Sequence, residues 1–311
     1  MVPGDLNPKG RILVVRGGAI GDFILTLPAL AALRKQFPQT WIEVLGYPQV
    51  ASLATLADCA NGVRSIEARP LAGFFARHGE LNKELSDYFG AFNIIISYLY
   101  DPDEIFRDNI ARCSKAQFIA GPHRPNAAEN VHATEVFLKP LERLTIFEAD
   151  PVPRLKLSAM GRQERGGTLA IHPGSGSDRK NWPEEHWEEL LKRIVLETRS
   201  RVLLVGGEAE EERLQRLATI VPVERLNVAL RQPLAELAGR LAWCDAFVGH
   251  DSGITHLAAA VGLRGVVLWG ETNPNIWRPR GDFELLRDEN GLANLAVARV
   301  FQSVLAHGLG G

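Results

Sequence analysis

Short runs of branched apolar residues that end at a glycine and then give way to helical spacing recur along this chain. That recurrence leaves few architectures open. Arg11–Arg16 encloses the unbroken run Ile-Leu-Val-Val, the composition of a strand buried on both faces. Gly17 and Gly18 follow, and residues 23–37 then carry apolar side chains at helical spacing up to Pro38. A strand, a tight turn and a helix in that order return the chain for a parallel neighbour, so the repeat builds a parallel sheet with helices on its faces. Residues 41–45, closed by Gly46-Tyr47-Pro48, and residues 93–97 and 117–120 extend the same sheet.

The pattern breaks and restarts. Asp150-Pro151-Val152-Pro153 is stiff and extended, and a polar stretch from Arg162 ends at Gly166-Gly167. Strands are expected again at 168–172, 201–205, 246–249 and 265–269, with helices at 183–198, 208–218, 234–242 and 253–261. The expected fold class is therefore α/β with two Rossmann-like domains, the first covering residues 1–160 and the second 161–290. The chain's 311 residues suffice for about two such domains, each with its own core.

Charge and cysteine usage narrow the function. Lys+Arg 35 against Asp+Glu 37 leaves a formal net charge of -2, and each half is close to balance, so no broad positive field invites nucleic acid. The three cysteines, Cys59, Cys113 and Cys244, are far apart and form no CxxC or zinc pattern. With no signal-like leader and no apolar run of about 20 residues, a soluble, cytoplasmic protein is expected.

Three glycine-rich turns follow strands, where open α/β sheets bind ligands. The first, Arg16-Gly17-Gly18-Ala19-Ile20-Gly21-Asp22, departs from the dinucleotide fingerprint because Arg16 stands at the first glycine position, which disfavours a dehydrogenase. Asp22 at a helix start either compensates the helix dipole or faces the ligand as a general base. The second turn, His172 to Pro183, contains Gly174, Ser175, Gly176 and Lys180, small residues with one point charge suited to phosphate. An ordinary polar loop has the same composition. In the third, Gly249-His250-Asp251-Ser252-Gly253-Ile254-Thr255-His256, small residues coincide with a helix start, a ready anion site. Asp251 could equally be the N-cap and His256 a satisfied helix residue. No Gly-x-Ser-x-Gly elbow surrounds Ser252, which argues against a hydrolase triad. In the acidic run Glu208-Ala209-Glu210-Glu211-Glu212, carboxylates in a helix's first turn form a solvated face, or one near the strand end accepts hydrogen bonds from ribose hydroxyls; spacing does not decide which.

Together these turns resemble the bacterial lipopolysaccharide heptosyltransferases, glycosyltransferases of family 9 that use ADP-heptose. The resemblance is strongest over residues 12–33, which include Gly21-Asp22-Phe23-Ile24-Leu25-Thr26-Leu27-Pro28, and over residues 172–183 and 251–270. It implies a GT-B fold, two Rossmann-like domains facing across a cleft, with the acceptor on the first and the nucleotide sugar on the second. It also implies that residues 291–311 form a last helix crossing back to the first domain. Asp22 would be the catalytic base, with Arg16 and Gly18 on the acceptor side. Ser175, Gly176, Lys180, Glu210, Asp251, Ser252, Gly253 and His256 would bind the donor.

Inverting transfer without a metal or other cofactor follows from the same resemblance, as does a saccharide or glycolipid acceptor reached by peripheral contact with the inner membrane. Arg64, Arg69, Arg77, Arg107, Arg112, His123 and Arg124 are basic candidates for an acidic acceptor, or plain surface charges. Two departures stand out: Gly17, Gly18 and Ala19 replace serines usual in relatives, and only about thirty residues follow Pro279. Two rival readings are a nucleotide-sugar epimerase of the same fold and a non-catalytic sugar-nucleotide-binding protein.

Overall fold

The computed structural model describes residues 9–157, 167–176 and 181–309. The chain divides into two compact units, Met1–Pro151 and Val152–Gly311.

In the first unit the described elements run β1 (Arg11–Arg16), α1 (Ile20–Ile24), α2 (Leu27–Gln36), β2 (Trp41–Gly46), α3 (Pro48–Leu56), β3 (Gly62–Ser65), α4 (Lys83–Gly90), β4 (Ile94–Ser97), α5 (Ile105–Ala111), β5 (Gln117–Ala120) and α6 (Ala133–Leu138). The sheet is all parallel in the order β3-β2-β1-β4-β5. Ile12 to Val15 of β1 are fully covered on both faces, as their composition requires. The single helix expected at 23–37 is instead two. Pro28 lacks an N–H and suits only a first turn, so the chain ends α1 and starts α2 on either side of Thr26. Beneath the sheet Phe74, Phe89 and Phe106 fill one core with Leu13, Val15 and Ile95.

The second unit runs β6 (Thr168–His172), α7 (Glu184–Glu197), β7 (Arg201–Gly206), α8 (Glu211–Ala218), β8 (Leu226–Leu230), α9 (Leu234–Ala242), β9 (Ala246–His250), α10 (Gly253–Ala260), β10 (Gly265–Leu268), α11 (Pro274–Trp277), β11 (Phe283–Leu286) and α12 (Val297–Val304). Its parallel order is β11-β10-β9-β6-β7-β8. On α7, Trp187, Leu190, Leu191 and Ile194 recur at helical spacing and are buried, each worth about 1.5–3 kcal/mol against exposure. The Arg225 guanidinium closes the end of that helix by donating to the carbonyls of Ile194, Val195 and Ser200 at 3.2, 2.9 and 2.8 Å.

α12 buries Val297, Val300, Phe301 and Val304 in the second unit's own core and packs on α7, β9 and β10. An apolar stripe this complete makes the described helix an integral part of the second unit's core.

In both sheets the strand order reverses beside the first strand, between β1 and β4 and between β6 and β9. The crevice at the carboxyl ends of such neighbours is where doubly wound sheets hold ligands. All three glycine turns emerge at these two points.

Candidate active site

At the first switch point, Arg16 ends β1 with 3% exposure. Its guanidinium donates to the carbonyls of His123 at 2.8 Å, Tyr98 at 3.3 Å and Asp22 at 3.2 Å. It also lies over the Phe137 ring, 4.5 Å from the centroid. Burial pulls its pKa down, while Asp22 and Tyr98 oppose that pull. Arg16 therefore braces the turn from below, rather than reaching out of it.

Asp22 sits in the first turn of α1, its side chain 29% exposed and one oxygen 4.0 Å from Arg16. The other oxygen accepts the Ala19 N–H at 3.4 Å. Gly18 adopts φ +100, and a Cβ there would stand 3.2 Å from that oxygen. Glycine is thus what lets the turn fold over the carboxylate. Asp22 is held from two sides and remains open to solvent, which suits a group that must take a proton from a bound hydroxyl.

At the second switch point the turns after β6 and β9 meet. Ser252, not Asp251, is the N-cap of α10, its Oγ accepting the Thr255 N–H at 3.4 Å. The same Oγ lies 3.3 Å from Nδ1 of His172, the last residue of β6. Asp251 is left to accept the Thr272 hydroxyl at 2.6 Å. The cap leaves the first N–H groups of the helix, those of Gly253 and Ile254, without intrahelical acceptors. His256 is buried one turn further on.

Of the four glutamates at 208–212 after β7, Glu210 is the one turned inward, with 8% exposure and the Gly207 N–H donating to it at 2.9 Å, while Glu208 is exposed. Glu211 pairs with Arg231, and Glu212 is 90% exposed beside Arg216. Glu210 packs directly on Gly174: a Cβ at that glycine would fall 2.2–2.5 Å from its carboxylate end. Ser175 donates to Oδ1 of Asn181 at 2.8 Å, and exposed Gly176 takes φ +72. Lys180 lies outside the described residues. A cavity of about 1420 Å³ opens beside the turns, lined among others by Asn181, Trp269, Thr272, Arg287 and Arg299.

Two histidines outside the expected site residues close the strands at these turns. His172 and His250 end the adjacent strands β6 and β9 and are buried. Burial pushes their pKa values down to about 4 and about 3, so both rings are neutral at pH 7. The signal available was a histidine closing each of two apolar strands.

The sequence also contains Asp101-Pro102-Asp103, a pairing that can mark a metal site. Here Asp101 accepts the N–H groups of Phe106 and Arg107, both at 3.1 Å, and so starts α5, while Asp103 faces Arg77 at 3.9 Å. Among the described residues no three His, Cys, Asp or Glu are grouped to hold a metal ion, and no helix is long and apolar enough to cross a membrane. Several acceptor candidates are engaged locally: Arg64 with Glu84 and the Tyr88 ring, Arg107 with Glu104, and Arg112 with the Gly79 carbonyl.

Residues 146–285 match the family model described as glycosyltransferase family 9 (heptosyltransferase). Lipopolysaccharide heptosyltransferase 1 of Salmonella typhimurium is 35% identical over 130 residues, covering 41% of this chain and 40% of that protein. Among solved structures, a family 9 glycosyl transferase from Veillonella parvula superposes with a TM-score of 0.77 at 18% identity, covering 98% of both chains. The E. coli heptosyltransferase WaaC with ADP superposes with a TM-score of 0.74 at 20% identity, covering 96% of this chain and 100% of that one.

Two parallel-sheet α/β units matching these structures define the GT-B class of glycosyltransferase folds. The sequence match across residues 146–285 makes that part of the chain similar to the heptosyltransferases of glycosyltransferase family 9.

Proposed function

We propose that this enzyme transfers heptose or a related sugar, with inversion, from an ADP-sugar to a hydroxyl of a lipopolysaccharide-core or similar saccharide. Asp22 acts as the general base, taking the proton of the acceptor hydroxyl as its oxygen attacks the anomeric carbon. The bond from that carbon to the diphosphate breaks, and ADP leaves with the added negative charge. Donors fixed in advance at the diphosphate stabilise that charge, which is the task of Lys180 and of the N–H groups at the start of α10. Glu210 accepts the ribose hydroxyls. Ser175, Gly176, Asp251 and His256 complete the donor site, and Arg16 and Gly18 hold Asp22 in its pose. A lipid-borne acceptor would place the reaction at the cytoplasmic face of the inner membrane.

The observation that carries the reading is one juxtaposition. A buried carboxylate, Glu210, rests against Gly174 beside the Ser252-capped start of α10, at the strand reversal where nucleotide folds place their ligand. The test compares ADP, UDP and GDP by calorimetry, then measures sugar transfer from ADP-heptose to a lipopolysaccharide-core acceptor by mass spectrometry. ADP should bind at least tenfold tighter than the others. Asp22→Ala should abolish transfer while leaving ADP affinity within threefold. Retained turnover in that variant removes Asp22 from the base role, and an epimerised donor with no acceptor consumed removes the transferase reading.

A further inference from the structure

The role of His250 is not explained by the donor contacts proposed above. It has 0% exposure, and it makes two hydrogen bonds to different segments of the chain. Its Nε2 is 2.7 Å from the Trp182 backbone nitrogen, and its Nδ1 is 3.1 Å from the Gly174 carbonyl oxygen. A carbonyl can only accept and a backbone N–H can only donate, which assigns the proton to Nδ1 and the lone pair to Nε2. The ring thus joins three places: the end of β9, the turn after β6, and the residue just before Pro183 and α7.

The ring is locked as well as bonded. Trp187 meets it edge to face at 5.4 Å between centroids, and Trp182 meets Trp187 in the same way at 5.2 Å. The Trp182 indole N–H is in turn donated to the Leu295 carbonyl at 3.0 Å. An apolar side chain would fill this space without the cost of burying an imidazole, so the two bonds are what the histidine adds.

Those bonds bear on Glu210. His250 holds Gly174 by its carbonyl, while Glu210 packs against the α-carbon of the same residue. We infer that His250 is a positioning residue for nucleotide binding: by fixing Gly174 and Trp182 it sets the seat of the Glu210 carboxylate and the anchor points of the turn that carries Ser175 and Gly176. The inference rests on the reading of this edge as the donor site.

Three variants of the full chain separate the two bonds. His250→Asn keeps an amide N–H where Nδ1 stood and so retains the Gly174 bond. His250→Gln keeps a carbonyl near the Nε2 position and retains the Trp182 bond. His250→Phe keeps the ring and loses both. With ADP as the calorimetric probe, the Phe and Gln variants should bind at least tenfold more weakly than wild type, and Asn should recover to within threefold. Thermal midpoints measured alongside should fall in all three without following that order. If Phe does not fold, the Asn–Gln pair still decides the matter. Equal ADP affinity in wild type and the folded variants, or affinities that track the thermal midpoints, would overturn the inference. Absence of ADP binding by wild type itself would instead overturn the donor reading, and this inference with it.

Discussion

Replacing Gly174 with alanine tests the donor geometry with a single methyl group. The added Cβ would lie 2.2 Å from Cγ, 2.3 Å from Oε1 and 2.5 Å from Cδ of Glu210, all below any tolerated contact. The clashing atoms are the far end of a flexible side chain, so the chain can relieve the overlap by swinging the carboxylate away. The stability cost is then small: the hydrogen bond from the Gly207 N–H, about 0.5–1.5 kcal/mol, and little backbone strain because Gly174 has no positive φ. The binding cost is larger. If Glu210 accepts the ribose hydroxyls, its displacement forfeits a hydrogen bond to a charged acceptor, about 1.5–3 kcal/mol, or roughly 10- to 150-fold in ADP affinity.

The assay is calorimetric titration of ADP into wild type, Gly174→Ala, Glu210→Ala and the double variant, with thermal midpoints measured in parallel. Both substitutions remove the same carboxylate from the same place, so the double variant should bind about as weakly as either single one. Free energies that add would show that Gly174 and Glu210 act separately. Unchanged affinity in Gly174→Ala would show that the position of Glu210 has no bearing on the nucleotide.

Two further outcomes test the fold around the site. His172 and His250 are held neutral with pKa values near 4 and near 3, whereas an unfolded histidine titrates near 6.5. Below pH 6.5 the unfolded chain gains protons that the folded one refuses, so stability falls as pH drops towards 4, by up to about 1.4 kcal/mol per pH unit for each ring. Urea midpoints at pH 7 and pH 5 should therefore differ more in wild type than in His172→Asn, and an equal difference would contradict the burial argument. Arg225→Ala removes three donors from carbonyls at the end of α7 and should cost about 1–3 kcal/mol in urea unfolding while ADP affinity stays within twofold. A large loss of affinity there would mean that the donor site depends on this cap.

What could be read from the sequence follows from where each strand lies. β1, with four consecutive branched residues, and β6 are visible to the residue because central strands are apolar on both faces. β3, β8 and β11 were not anticipated, and all three are sheet edges. Gly62–Ser65 is half-buried throughout, and Leu226–Leu230 exposes Asn227 and Val228, so neither shows an unbroken apolar run or a clean alternation. The site divides in the same way. Its turns were visible because small residues cluster after strands, yet the link from His250 to Gly174 was not. It spans 76 residues and exists only because the chain crosses over to lay β9 beside β6. Glu210 stands out among three adjacent glutamates by resemblance, but its contact with Gly174 belongs to the fold and is not written in the run itself.

The described polar groups around β6 and β9 sort the proposed donor by chemistry. Glu210 and Asp251 are acids, while His172 and His250 are neutral imidazoles, so none of the four brings positive charge. Carboxylates accept hydrogen bonds from hydroxyls, which suits ribose and sugar, but they repel a diphosphate. In the proposed mechanism the anion falls to the first N–H groups of α10 and to Lys180, with Arg213, which donates to the Pro173 carbonyl at 3.0 Å, as a further cation beside the turn. A helix start supplies only about half a positive charge, which suits a resting diphosphate better than a departing one that gains charge. The lysine is needed most as the bond breaks, when an interaction stronger in the transition state raises the rate rather than only the affinity. The proposed mechanism thus asks for positive charge at a few points rather than over the whole surface, in keeping with a net charge of -2.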